Sequence, residues 1–182
     1  MQARAVDYFV IISAEARTHG HPAYASEVTR RCLDWHAREG RRITMPDPAG
    51  RIARGRAACE YEAGRIAESR DAMLPLLARP RSLLLVQDIA RFAALSARLG
   101  DDAAVQRMRQ RIREETSARS DWRGHPALLE ARVLAVRGDH VHAVEHLRKA
   151  AEVEIDANWH LDLDFAAMRG YAPFERLIAS RD

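Results

Sequence analysis

This chain of 182 residues is poor in several things, and each shortage excludes something. It has only two cysteines, Cys32 and Cys59, too few for the disulfide framework of a small secreted domain. Both fall in helical stretches flanked by apolar residues, which reads as two buried thiols in a reducing, cytoplasmic compartment. No apolar run approaches the ~20 residues of a membrane helix. The first segment, MQARAVDYFVIISAEAR, has a short apolar patch interrupted by Asp7 and Glu15, so it does not read as a signal peptide. Strand-like alternation is absent. So are a Gly-rich phosphate loop, a G-x-S-x-G elbow, a cysteine cluster and a carboxylate pair with a supporting base, which argues against an enzyme. Lysine is nearly missing: Lys149 is the only one among 29 basic residues, and the net charge is only +3. That balance suits a solvated mixed-charge surface better than a nucleic-acid face.

What is present is a repeat. Gly20, Gly64, Gly100 and Gly138 each separate two amphipathic helical stretches, at spacings of 44, 36 and 38 residues. A period of that size indicates helical hairpins, each too small to bury its apolar face alone. Seven residues before the glycines stand Ser13, Ala57, Ala93 and Ala131; five after stand Ala25, Ser69, Val105 and Ala143. Small side chains at both places let paired helices approach closely. Met73 and Leu147, nine after their glycines, should face the core. Asp101 and Asp139 fit the start of the following helix as caps.

Helices are expected at about 2–18, 22–39, 48–63, 66–79, 82–98, 101–118, 126–137 and 139–154, with shorter pieces at about 164–169 and 173–180. Pro22, Gly40, Pro46, Pro48, Pro80, Gly124 and Pro126 punctuate them, and Asp47 suits a cap before Pro48. Pro75 should kink the fourth helix or end it early.

The segment ALLEARVLAVRGDHVHAVEHLRKAAE carries the repeat best, and it resembles a tetratricopeptide unit. Glu60, Ser96 and Leu134 stand where that family has a large aromatic. The tail WHLDLDFAAMRGYAPFERL is similar to a C-terminal ending of bacterial tetratricopeptide regions, through Trp159, Asp162, Asp164, Phe165, Met168, Arg169, Tyr171, Pro173, Phe174 and Leu177. Leu163 replaces the proline usual there. The resemblance implies an all-α, right-handed solenoid: an array over 1–158, with hairpins at about 2–40, 48–79, 82–118 and 126–154, and a cap over 159–182. Asp164 would cap the first tail helix. Phe165, Met168, Tyr171, Phe174 and Leu177 would cover the last hairpin.

It also implies a non-catalytic protein–protein interaction scaffold, a regulatory or sensing module of a larger bacterial signalling or transcription-regulating protein. A peptide or partner domain would lie on the concave face made by the first helix of each hairpin. Residues expected to line that face are Arg54, Tyr61, Gln87, Arg91, Arg98 and Arg132. Two other readings stay open. Arg41, Arg42, Arg51, Arg54 and Arg56 could make a groove for nucleic acid or an anionic signal molecule. Tyr8, Phe9 and Ile12 could form a self-association face at the N-terminal end.

No cofactor or metal is expected. His142 and His146 stand in an H-x-x-E-H pattern, with Asp139, His140 and His160 nearby. A core face of Val141, Ala143, Val144 and Leu147 turns that pair outward and leaves no third ligand assigned. Arg56 and Glu60 are spaced for an ion pair. Arg107, Arg109, Arg111 and Arg113 spread around one helix as a solvated surface. Tyr8, Phe9, Tyr24, Trp35 and Trp122 read as packing residues.

Overall fold

The structure, a computed structural model, describes residues 5–39, 48–79, 85–117, 124–152 and 159–179. Among them the regular elements are all helical. They are α1 (Ala5–Thr18), α2 (Pro22–Glu39), α3 (Pro48–Glu62), α4 (Ile66–Leu77), α5 (Val86–Arg98), α6 (Asp102–Ser117), α7 (His125–Val136), α8 (His140–Ala151), a 3-10 turn (Leu163–Met168) and α9 (Ala172–Ala179). The expectations placed on Gly40, Arg41, Arg42, Pro46, Asp47, Pro80 and Trp122 lie outside the described residues.

The four repeat glycines make the same turn. Gly20, Gly64, Gly100 and Gly138 all have positive φ, from 72° to 84°. After each, the next amide donates to a carbonyl five residues back, as in Asp101 N to Ser96 O at 2.9 Å and Asp139 N to Leu134 O at 3.0 Å. The glycine amide donates three back, as in Gly138 N to Ala135 O at 3.0 Å. This pair of bonds is the Schellman termination, and its left-handed residue is the reason for glycine. The next helix starts at once. Asp101 accepts from the Ala104 amide at 2.9 Å, and Asp139 from the His142 amide at 3.3 Å, so both cap as expected.

The small residues sit where the hairpin helices touch. Ala57, Ala93, Ala131, Ser69, Val105 and Ala143 are all within 1% of complete burial. In the first two hairpins a serine at this contact also satisfies a carbonyl of the opposite helix: Ser13 to Ala25 O at 3.3 Å and Ser69 to Ala57 O at 2.7 Å. Helix α4 passes through Pro75 and ends two residues later, at Leu77.

The chain divides into two compact units, Met1–Leu84 and Leu85–Asp182. In the first, α1 pairs with α2 and α3 with α4, while α3 packs on both α1 and α2. The disulfide Cys32–Cys59 links α2 to α3, with Cα atoms 6.2 Å apart. The expectation of two buried thiols is therefore corrected. Both sulfurs are buried as expected, but the packing of α3 on α2 brings them together, which helical pattern alone does not reveal. Loop closure over a sequence separation of 27 gives this bond about 3.5 kcal/mol of stabilisation of the first unit. Cys32→Ser/Cys59→Ser, followed by urea denaturation without reductant, should show a loss of that size.

The second unit repeats the plan: α5 pairs with α6, α7 with α8, and α7 packs on both α5 and α6. The tail closes it. Trp159, Phe165, Met168 and Phe174 are almost fully buried against Leu128, Ala131, Ala135, Val144 and Leu147, with Tyr171 and Leu177 packed at the edge. The expected cover is thus in place.

Several single-residue expectations are corrected. Val141 is 56% exposed, because the α8 core is formed by Ala143, Val144, Leu147 and Ala150. Tyr8 and Tyr24 face outward rather than packing inside. Arg109 is not simply solvated: its guanidinium reaches from α6 to Glu130 on α7, at 2.5 and 2.7 Å. Asp162, rather than Asp164, caps the 3-10 turn by accepting from the Asp164 amide at 3.0 Å.

Candidate functional site

In the first unit α2 and α3 wall a cavity of about 850 Å³. Its apolar lining comes from Leu33, Ala37, Ile52 and Ala63, and its charges from Arg30, Asp34, Arg56, Glu60, Glu62 and Arg65. The charges are largely paired. Arg30 is held by Glu27 and Asp34 on its own helix, both at 2.8 Å. Buried Glu60 faces Arg65 at 3.4 Å and Arg56 at 3.6 Å, which realises the expected Arg56–Glu60 pair. Glu62 takes Arg17 and also accepts from Ser13 at 3.2 Å. Two hydrogen-bonding arginines, Arg30 and then Arg31, pull Glu27 down to about 2. A groove so balanced offers apolar contact with mixed polar partners, rather than a uniformly positive surface for phosphates.

His36 stands in the cavity wall, one helical turn after Cys32. Its ring meets Trp35 edge-on at 5.0 Å between centroids. Burial, and then the nearby Arg56 charge, push its pKa down to about 4, so the imidazole is neutral at neutral pH. The ligand atoms of Cys32, His36 and Cys59 all lie within 4.8 Å of one another. Sequence reading passed over this trio. The available signal was the four-residue step from Cys32 to His36, which puts both on one face of α2. Cys59 joins them only through the packing of α3.

The residues expected to line a partner face divide between the units. Arg54 is half-buried and Tyr61 buried, both on α3. In the second unit, Gln87 is exposed on the first turn of α5. Arg91, Arg98 and Arg132 converge on the tail instead. Arg132 binds Asp164 and lies 2.6 Å from Asp162; Arg91 reaches Asp162 at 3.8 Å; Arg98 donates to Leu163 O at 3.0 Å. The Arg132 guanidinium also lies 5.7 Å from the Phe165 ring centroid.

Burial raises the Asp162 pKa, but Arg132 and then Arg91 more than offset this, so the carboxyl is held below its ordinary value. A group depressed on folding stabilises above its unfolded pKa, about 4 for aspartate, and loses that contribution as pH falls through the folded value. Urea midpoints of the second unit should therefore decline below about pH 4. Asp162→Asn should flatten that acid limb; an unchanged slope would remove Asp162 from the account.

On α8, His142 pairs with Asp139 at 2.8 Å at an exposed position. This hydrogen bond raises the histidine and lowers the aspartate. His146 is half-buried, and burial lowers its pKa. Among the described residues only the Cys32, His36 and Cys59 group has metal-ligand geometry, and the pair on α8 does not belong to it. Among the described residues no helix is long and apolar enough to cross a membrane. No protein-family profile, curated protein or solved structure matches the chain.

Proposed function

We propose that this chain is a non-catalytic protein–protein interaction module of the tetratricopeptide-like kind, built from stacked helical hairpins that hold a peptide or a partner domain. The observation that carries the reading is the packing of hairpins that share one repeated turn, with first helix on first helix, α1 on α3 and α5 on α7. Stacked hairpins present long faces whose shape outlasts sequence variation, which suits partner capture. The groove on α2 and α3, lined by apolar residues and by both signs of charge, fits a peptide of mixed composition. The tail motif supports a regulatory or sensing role in a bacterial signalling or transcription-regulating protein. The reading carries a cytoplasmic setting, in which Cys32 and Cys59 would stand reduced.

The test is an affinity capture from native lysate at low and high salt, with wild type beside Arg56→Glu/Arg65→Glu. A protein retained at both salts and lost with the variant supports the module. Nucleic acid released at high salt, with no protein enriched, overturns it in favour of the arginine-rich groove.

A second reading rests on a separate observation. Tyr8, Ile11 and Ile12 on α1 are 55%, 49% and 40% exposed. Clustered apolar exposure marks an association surface, so this face would join two copies. Tyr8→Glu should then halve the sedimenting mass with helicity unchanged; a wild type that sediments as a monomer rules the reading out.

A further inference from the structure

Three donors meet in the wall of the α2–α3 groove. Cys32 and Cys59 are buried and linked, and His36 is nine-tenths buried beside them. Neither ring nitrogen of His36 has a hydrogen-bond partner among the described residues. A buried imidazole with both nitrogens unmatched is uncommon, because each gives up water without compensation. The mutual approach of the three ligand atoms, within 4.8 Å, puts the imidazole next to the sulfurs. Two sulfurs and one imidazole are a donor set for soft or borderline metals, not for calcium or magnesium.

We propose that Cys32, His36 and Cys59 form a redox-controlled binding site for a thiophilic divalent cation of the zinc class, with the disulfide as its oxidised, metal-free form. A dithiol reductant supplies the two electrons: its two thiols become a disulfide, and the Cys32–Cys59 bond becomes two thiols. The cation then displaces both thiol protons to water and accepts a lone pair from one His36 nitrogen. Two zinc–sulfur bonds of about 2.3 Å at a tetrahedral angle set the sulfurs about 3.8 Å apart. Side chains whose Cα atoms are 6.2 Å apart span that distance. The fourth position falls to water or to a donor from the cavity that His36 lines. Oxidation by hydrogen peroxide runs the cycle back: two thiolates form the disulfide, the peroxide takes their two electrons and two protons from solvent to give two waters, and the cation leaves.

The site is independent of the partner-binding reading, and its test needs no partner. The full chain is reduced with excess dithiothreitol, freed of it anaerobically, and titrated with Co2+. The expected result is one Co2+ per chain, with thiolate-to-cobalt charge-transfer bands and the visible bands of tetrahedral cobalt, both abolished by Zn2+. The oxidised chain should show neither. Cys59→Ser and His36→Gln should each weaken binding at least about 100-fold. Zn2+ should raise the melting midpoint of the reduced wild type and leave that of His36→Gln where it was. The proposal is overturned if the reduced, helical wild type gives no thiolate–cobalt bands in excess Co2+, or if His36→Gln binds as tightly. It is equally overturned if the reduced chain loses its helices and Zn2+ fails to restore them.

Discussion

Arg132→Met should lower the stability of the second unit by about 3–5 kcal/mol, the usual cost of breaking a buried ion pair from one side. The reason is the company Arg132 keeps. Asp164 is completely buried and Asp162 nearly so, and Arg132 contacts both. Methionine preserves the packing against Phe165 but brings no charge. Both carboxylates then keep much of their desolvation and lose their main guanidinium. Adding Asp164→Asn should recover part of the loss, since one of the stranded charges disappears, and a double-mutant cycle in urea measures the coupling. An arginine serving only an external partner would behave otherwise: its replacement would stay within about 0.5 kcal/mol of wild type, as surface changes do. A result in that range would mean that Arg132 does not hold the tail aspartates in place.

Phe165→Ala should cost about 3–5 kcal/mol, the range for emptying a large aromatic site in a packed core. The ring is 1% exposed and lies against Phe174, 6.0 Å between centroids, with the Arg132 guanidinium on its other contact. Its removal therefore opens a cavity beside the ion pair and weakens the seal over α7 and α8 together. With total stabilities of about 5–15 kcal/mol typical of natural domains, such a loss would leave a sizeable unfolded fraction of this unit on warming. Thermal denaturation followed by tryptophan emission reports it directly, because Trp159 belongs to the same core. A midpoint within a degree or two of wild type would mean that the tail does not hold the unit closed.

The two predictions share a cause that the linear chain shows only in part. The apolar tail residues stand out by type, since aromatics are otherwise sparse, and their burial follows from the uncovered face of a last hairpin. The role of the two aspartates is harder to see. One-dimensional reading assigns Asp101, Asp139 and Asp164 to capping, which holds for the first two, while in the tail the cap is Asp162. Asp164 has the same local signature, yet its side chain turns inward to an arginine 32 residues away. Likewise Arg91, Arg98 and Arg132 read as part of a partner-lining set because they share the faces of first helices. The tail returns to those faces and engages all three.

Val141 and Arg109 make the same point from the other side. Each sits at a position that helical periodicity assigns plainly, one inside and one outside, and each is reassigned by which neighbour lies beside its helix. Periodicity gives a face; it does not say how wide a strip of that face a neighbour covers.

The sequence by itself determined the helices, their approximate limits, the four glycine turns and the small residues at the hairpin contacts. These are set within a few turns of chain by backbone sterics, capping and apolar spacing. The tertiary structure decided what lies across sequence gaps: the disulfide beside His36, the tail aspartates on Arg132, and the division into two compact units. Those depend on which helix faces which, and that choice rests on the summed burial of many side chains, to which no single motif corresponds.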